Sequence, residues 1–242
     1  MKILAIESAA LVASAAILDE DTVLAEERLN TRLTHSQTLL PMIDELVRKA
    51  ELKAGELDAI AVSAGPGSFT GLRIGAATAK GLGMAWDKPL VAVPTLDAMA
   101  YGLWGCRYLI CPIMDARRSQ VYNGLYRFDE NGALVTLRDA RAIGMEELLQ
   151  ELKEQNEPVV FLGDGVPVFR AAIEEALTTK ALFAPPQQSR QSAGAVGALG
   201  LELLKQGKTV TAAAFAPSYL RISQAERERA RRLAQEQEVC HD

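Results

Sequence analysis

"SAGPGSFTGLRIG", residues 63–75, runs from the end of a buried strand through a glycine turn into a helix. Whether that turn holds a phosphate decides what kind of α/β protein this is. A P-loop needs a Lys followed by Ser or Thr after its last glycine; here Gly65 and Gly67 lead only to Thr70, Gly71 and Leu72. A dinucleotide fingerprint needs a third glycine where Thr70 stands. Amides at a helix start attract an anion, but Arg73 is the one side-chain cation in this stretch. The helix carries a second signal. Gly71, Gly75, Ala79 and Gly83 recur every four residues with Ala76 beside them, so one face has almost no side chains. A helix-interior glycine costs about 1 kcal/mol against alanine, and a stripe of them implies close approach of another backbone. That backbone is either the chain's own sheet or a partner's helix.

Upstream, "ILAIE" (3–7), "VASAAIL" (12–18) and "TVLAEERL" (22–29) read as strands, with "LDED" turning between the last two. Then Leu39, Leu40, Met42, Ile43, Leu46, Val47 and Ala50 recur at helical spacing. Pro41 predicts a start near residue 38, because proline is tolerated in a helix's first turn. Leu39, Met42, Ile43 and Leu46 form one stripe, and Leu40, Val47 and Ala50 another, so one face is free for something other than the sheet. A strand at 57–65, a helix to Trp86, a strand at 88–95 and a short helix from Asp97 follow.

From "YLICPIMDA" onward the grammar repeats: strands, a helix at "GMEELLQELKEQ", a strand at "PVVFLGDG", and helices at "PVFRAAIEEAL" and "SAGAVGALGLELLKQG". Two runs of three strands, helix, strand and helix predict a duplicated, two-lobed α/β fold. The lobes are expected at residues 1–103 and 104–217, followed by a charged tail helix at 218–242. In that tail Glu226, Glu228, Glu236 and Glu238 are interleaved with Arg227, Arg229, Arg231 and Arg232, which reads as a solvated face rather than a nucleic-acid patch.

Composition removes several function classes. With 49% hydrophobic and 24% charged residues the chain is globular, and its net charge of −5 gives no basic field to attract nucleic acid. No apolar run approaches the ~20 residues of a membrane helix. The opening "MKILAIESAALVASAAILDED" alternates and holds Glu7 within its apolar run, so it reads as strands rather than a signal peptide. Cys106, Cys111 and Cys240 lack a C-x-x-C spacing, which suggests reduced thiols in the cytoplasm. The two histidines, His35 and His241, cannot build a His/Cys zinc site. There is no G-x-S-x-G and no H-E-x-x-H.

Residues 57–93, "LDAIAVSAGPGSFTGLRIGAATAKGLGMAWDKPLVAV", with "HSQTLLPMI" before them and "PSYLRISQAE" near the end, resemble the bacterial TsaB (YeaZ) family. That family is the non-catalytic subunit of the machinery that makes threonylcarbamoyladenosine in tRNA. The resemblance covers nearly the whole chain, is specific in the central stretch and weak from about 104 to 215. It implies the duplicated actin-like, sugar-kinase-like fold and a catalytic relative, TsaD, that shares the first lobe. By the same resemblance Thr95 and Met99 stand where TsaD keeps two metal-binding histidines, Asp97 where it keeps a Glu, and Gln191–Ser192 where it keeps an Asp ligand. Thr and Met offer no imidazole or carboxylate to a metal.

The family pairs with TsaD through first-lobe helices, which shifts the glycine stripe toward the partner reading. The expected interface is Leu39, Met42, Ile43, Leu46, Gly71, Gly75, Ala79 and Gly83. Other implied partners are the small ATPase TsaE, tRNA through the complex, and a second copy when the chain is alone. No cofactor is expected to bind tightly. A nucleotide at a shared interface is compatible with Glu7, Ser8, Gly163 and Gly165, although Ala9, Ala10, Leu11 and Val12 have lost the donors of a phosphate loop. His35 is expected to cap or pack.

The alternative is an independent small-molecule kinase or ATPase of the same fold. It needs acids to hold Mg²⁺, and Glu7, Asp97, Asp115 and Asp164 are available without a complete motif. A glycoprotease lacks both metal ligands and a nucleophile–base set.

Overall fold

The computed structural model describes residues 1–31 and 33–221; the tail helix expected beyond Arg221 lies outside them. In chain order the elements are β1 (Ile3–Glu7), β2 (Ala13–Leu18), β3 (Val23–Leu29), α1 (His35–Lys49), β4 (Ala59–Gly65), α2 (Phe69–Trp86), β5 (Leu90–Pro94) and α3 (Thr95–Tyr101). The second half repeats them as β6 (Leu109–Asp115), β7 (Gln120–Phe128), β8 (Leu134–Gly144), α4 (Met145–Gln155), β9 (Val159–Leu162), α5 (Val166–Leu177), β10 (Ala181–Phe183) and α6 (Ala193–Lys205).

Each half makes a five-stranded sheet of the same order, β3-β2-β1-β4-β5 and β8-β7-β6-β9-β10. The first two connections are antiparallel hairpins, and the later strands add in parallel through helices. This is the duplicated actin-like α/β architecture. Strand β1 explains why these segments read as continuous apolar runs. Leu4 and Ile6 face a core built with α1 and α2, while Ile3 and Ala5 face a second core built with α6. Both sheet faces are buried, so period-2 alternation disappears.

The lobes exchange their last helices. Helix α3 lays Leu96, Met99 and Ala100 against Ile110, Met114 and Tyr126 of the second sheet. Helix α6 packs Val196 and Leu201 against the first sheet, and Gly200 lies over Ala61. The segment after α6 stays there: Val210 bridges Leu90, Phe215 enters the first core, and the Ser218 amide donates to Ala64 O at 2.7 Å. The boundary expected at 103 therefore separates the sheets but not the packing, and that at 217 separates neither, because residues 193–218 build on the first lobe.

Helix α1 begins three residues earlier than proline predicts. Thr34 N donates to Gln37 Oε1 at 3.1 Å and Gln37 N to Thr34 O at 2.9 Å, which fastens the start at His35. Pro41 then falls in the second turn. Both Pro41 and Gln37, whose carbonyl goes without a Pro41 amide, are exposed, so water is at hand.

Candidate functional site

The glycine turn is a packing device. Gly65 has φ +117°, and a Cβ there would lie 2.2 Å from Ser218 O. At Gly67 a Cβ would lie 2.4 Å from Ala9 O; at Gly71, 2.1 Å from Ser8 O; at Gly75, 2.2 Å from Ser8 Oγ. The stripe thus lets the end of β1 lie directly on α2. Ser8 Oγ donates to Gly71 O at 3.0 Å across that contact, and Ser68 caps the helix by accepting from Gly71 N. Gly83 meets Leu90, Lys88 O and Ala212.

The expected partner interface is corrected accordingly. Gly71, Gly75, Ala79 and Gly83 are buried against this chain's own sheet, and Leu39, Met42, Ile43 and Leu46 are at most 4% exposed in the same core. The faces of α1 and α2 turned outward carry other residues. On α2 these are Arg73, Ala77, Gly81 and Met84; on α1 they include Leu40, Pro41, Asp44 and Arg48. Leu40 is 54% exposed and Met84 71%.

The second feature is a cleft between the lobes, at the carboxyl ends of β1, β4, β6 and β9, where open α/β sheets place ligands. It is a cavity of about 500 Å³. Its first-lobe wall is the loop Ala9–Leu11 with Gly67 and Ser68 at the start of α2; its second-lobe wall includes Asp115, Arg117, Asp164 and Arg190. The expected nucleotide-proximal residues sit one layer behind. Glu7 is buried at the end of β1, where its Oε1 accepts from Ala9 N at 2.5 Å, and burial pushes its carboxyl up to about 7. Gly163 and Gly165 bracket Asp164, and both approach Ile113 O. None of Glu7, Ser8, Gly163 and Gly165 lines the cavity. Arg117 and Arg190 were not singled out from the sequence. For Arg117 the duplication held the signal, since the β6–β7 loop is the counterpart of the loop after β1.

The three positions that resemble metal ligands are occupied in other ways. The Thr95 hydroxyl accepts from Gly65 N at 3.2 Å. Met99 packs in the core beneath the cleft. Gln191 Nε2 donates to Asp164 Oδ1 at 3.3 Å. Asp97 accepts from the Tyr126 hydroxyl at 2.8 Å, and burial raises its carboxyl. A hydroxyl, a thioether and an amide supply neither the imidazole nor the carboxylate that a transition-metal site is built from. Among the described residues no three His, Cys, Asp or Glu side chains are grouped to hold a metal. His35 packs rather than caps: its Nε2 donates to Ala10 O at 2.7 Å and tethers the first loop to α1. No helix among the described residues is long and apolar enough to cross a membrane.

Residues 22–229 match the family described as TsaD, tRNA N6-adenosine threonylcarbamoyltransferase. The tRNA threonylcarbamoyladenosine biosynthesis protein TsaB of Bacillus subtilis is 35% identical over 93% of this chain and 96% of its own length. The protein of the same name from Escherichia coli is 36% identical over 64% of this chain and 67% of its own. Among solved structures, a Pseudomonas aeruginosa protein described as similar to the peptidase YeaZ superposes with a TM-score of 0.75 at 25% identity, covering 91% of this chain and 99% of that one.

Proposed function

This chain belongs to the TsaB family of tRNA threonylcarbamoyladenosine biosynthesis proteins, and from that premise we propose that it is a non-catalytic subunit. It holds a catalytic relative of the TsaD type, recruits the ATPase TsaE to the pair, and so supports transfer of threonylcarbamoyl to the adenosine 3′ of the tRNA anticodon. One observation carries this reading: Thr95, Met99 and Gln191, which by the resemblance replace the relative's metal ligands, are each committed to internal bonding or packing.

The outward faces of α1 and α2 are the docking surface in this proposal. They combine exposed apolar atoms at Leu40 and Met84 with the small residues Ala77 and Gly81. Residues without long side chains let another helix approach closely, which gathers many weak dispersion contacts. The same face would join two copies in the absence of the relative.

The test is reconstitution. The chain is co-purified with its TsaD-type relative, and tRNA modification is measured with each component omitted. Met84→Glu should keep the melting temperature within a degree or two and weaken pairing roughly tenfold or more, since burying an unpaired carboxylate costs several kcal/mol. Modification by this chain alone, or unchanged pairing by the Met84 and Leu40 carboxylate variants, would sink the reading. A kinase requires ATP turnover by the isolated chain, and the same preparation answers that directly.

A further inference from the structure

We infer that the chain binds a protonated amine at the seam between the lobes, where the ammonium meets the rings of Trp104 and Phe128 and the carboxylates of Asp129 and Glu130. The site lies at the opposite end of the second sheet from the cleft, and the inference is independent of the pairing proposed above.

Residues 102–108 carry the chain from α3 into β6, and Trp104 stands on that crossing with 68% of its surface exposed. A singly exposed apolar side chain is ordinary on a protein surface; its company distinguishes this one. It lines a cavity of about 340 Å³ together with Phe128, Asp129 and Glu130. The β7–β8 turn that carries the two acids is laid directly on the indole. Gly132 closes that turn at φ +78°, and a Cβ there would lie 3.2 Å from Trp104 Cζ2. Gly132 N donates to Asp129 O at 3.1 Å, and Asp129 N to Ala133 O at 3.0 Å. Phe128 is backed by Tyr101, with ring centroids 6.4 Å apart. Rings and carboxylates are thus held in one unit before a ligand arrives, which lowers the ordering cost of binding.

The acids have capacity to spare. Asp129 Oδ1 accepts from Asn131 N at 2.9 Å and from Ala133 N at 2.8 Å, which aims the carboxylate and leaves Oδ2 to a ligand. Neither Asp129 nor Glu130 is in an ion pair among the described residues. A cation over an aromatic face is attracted by the ring quadrupole, most strongly at tryptophan, and a carboxylate beside it adds a charge-assisted hydrogen bond. Arg107 lines the same cavity. Its one positive charge opposes the ligand, and the two carboxylates outweigh it. On the other side of Trp104 a second cavity, of about 410 Å³, is walled by Leu103, Val160, Leu182 and Pro185. It suits the methylene chain of an amine whose head lies at the acids. A free polyamine and a lysine side chain both have that form.

The experiment titrates the full chain with spermidine and with Nα-acetyl-lysine methylamide. Indole fluorescence is read in a Trp86→Phe background, which leaves Trp104 as the one tryptophan, and calorimetry is run on the wild-type chain. Saturable binding of one amine per chain is expected, in the roughly millimolar range of a small open site and weaker as salt rises. Nα-acetyl-norleucine methylamide, which lacks the ammonium, should give no response. Trp104→Ala should abolish saturation, Trp104→Phe should keep weaker binding, and Glu130→Gln should weaken it severalfold. Arg107→Gln should tighten it severalfold, because a like charge is gone. Glu175→Gln removes a carboxylate from the exposed face of α5 and should change nothing. Circular dichroism establishes folding of each variant, and amide chemical shifts of Asn131 and Gly132 in the wild-type chain report occupancy without any variant. Absence of saturable binding of either amine up to tens of millimolar overturns the inference. So does unchanged affinity in Trp104→Ala, equal weakening by Glu175→Gln, which would mean diffuse charge, or weaker binding in Arg107→Gln. Tighter binding of spermidine assigns the site to a free polyamine, and tighter binding of the lysine derivative to a partner's lysine side chain.

Discussion

Gly75→Ala adds one carbon, and the structure says what it meets. The new Cβ lies 2.2 Å from Ser8 Oγ, while Ser8 Cβ and Ile6 Cγ2 stay at 3.4 and 3.9 Å. The hydroxyl must therefore rotate away and give up its 3.0 Å bond to Gly71 O. Losing such a bond costs about 0.5–1.5 kcal/mol, and overpacking a tight contact about 1–3 kcal/mol. Alanine's helix propensity returns about 1 kcal/mol. The net expectation is destabilisation by about 1–3 kcal/mol, or roughly 2–10 °C in a chain of this size.

Neighbouring positions calibrate the reasoning. At Gly71 the obstacle is Ser8 O, a backbone atom at 2.1 Å that cannot rotate, so Gly71→Ala should cost more. At Gly81 nothing lies within 4 Å, and Gly81→Ala should stabilise by about 0.5–1 kcal/mol. Urea unfolding of the series measures this, with Ser8→Ala combined with Gly75→Ala as the decisive variant. With the hydroxyl gone, the remaining contacts are ordinary, and the double variant should recover about 1–2 kcal/mol relative to additivity. Unfolding midpoints equal to wild type for Gly71→Ala and Gly75→Ala, together with weaker partner binding, would refute the assignment of the stripe to this chain's own core.

Three further outcomes are expected. Glu7 is buried and its carboxyl is raised from 4.5 to about 7, so the folded state holds a proton that the unfolded state releases; stability should fall between pH 4.5 and 7 by about 3 kcal/mol, and Glu7→Gln should flatten that slope in pH-dependent unfolding. Tag-free protein should carry no stoichiometric zinc or iron by elemental analysis, and one tightly bound transition metal per chain would contradict the reading of Thr95, Met99 and Gln191. A fragment of residues 1–103 should fail to fold by near-ultraviolet circular dichroism and dye binding, because it lacks α6 and leaves Ile3, Ala5, Val91 and Val93 uncovered.

The fold was legible because duplication is a pattern of order. Each half spells strands, helix, strand, helix, and apolar runs such as "ILAIE" and "AIAVSAG" announce buried strands whatever they pack against. Strand β10 escaped because three residues, "ALF", carry too little periodicity to separate a strand from a loop. Proline alone misplaces the start of α1, because the Thr34–Gln37 exchange of hydrogen bonds outweighs it.

The exchange of α3 and α6 between the lobes left no trace in local sequence. A helix with an apolar stripe states that it is covered, never by which sheet. The same ambiguity governs the site. Gly71, Gly75, Ala79 and Gly83 correctly signalled a close backbone, but glycine records only that space is missing, and Ser8 is sixty-seven residues away from Gly75 along the chain. Resemblance to a family that pairs through these helices then pulled the stripe outward. The face those residues form is the chain's own core. A helix against a sheet has one side for its own core, and the side with least side chain goes there whenever a strand end must come within hydrogen-bond reach. The opposite side, where Met84 and Leu40 are exposed without any internal reason to be apolar, is therefore the one the proposed docking surface uses.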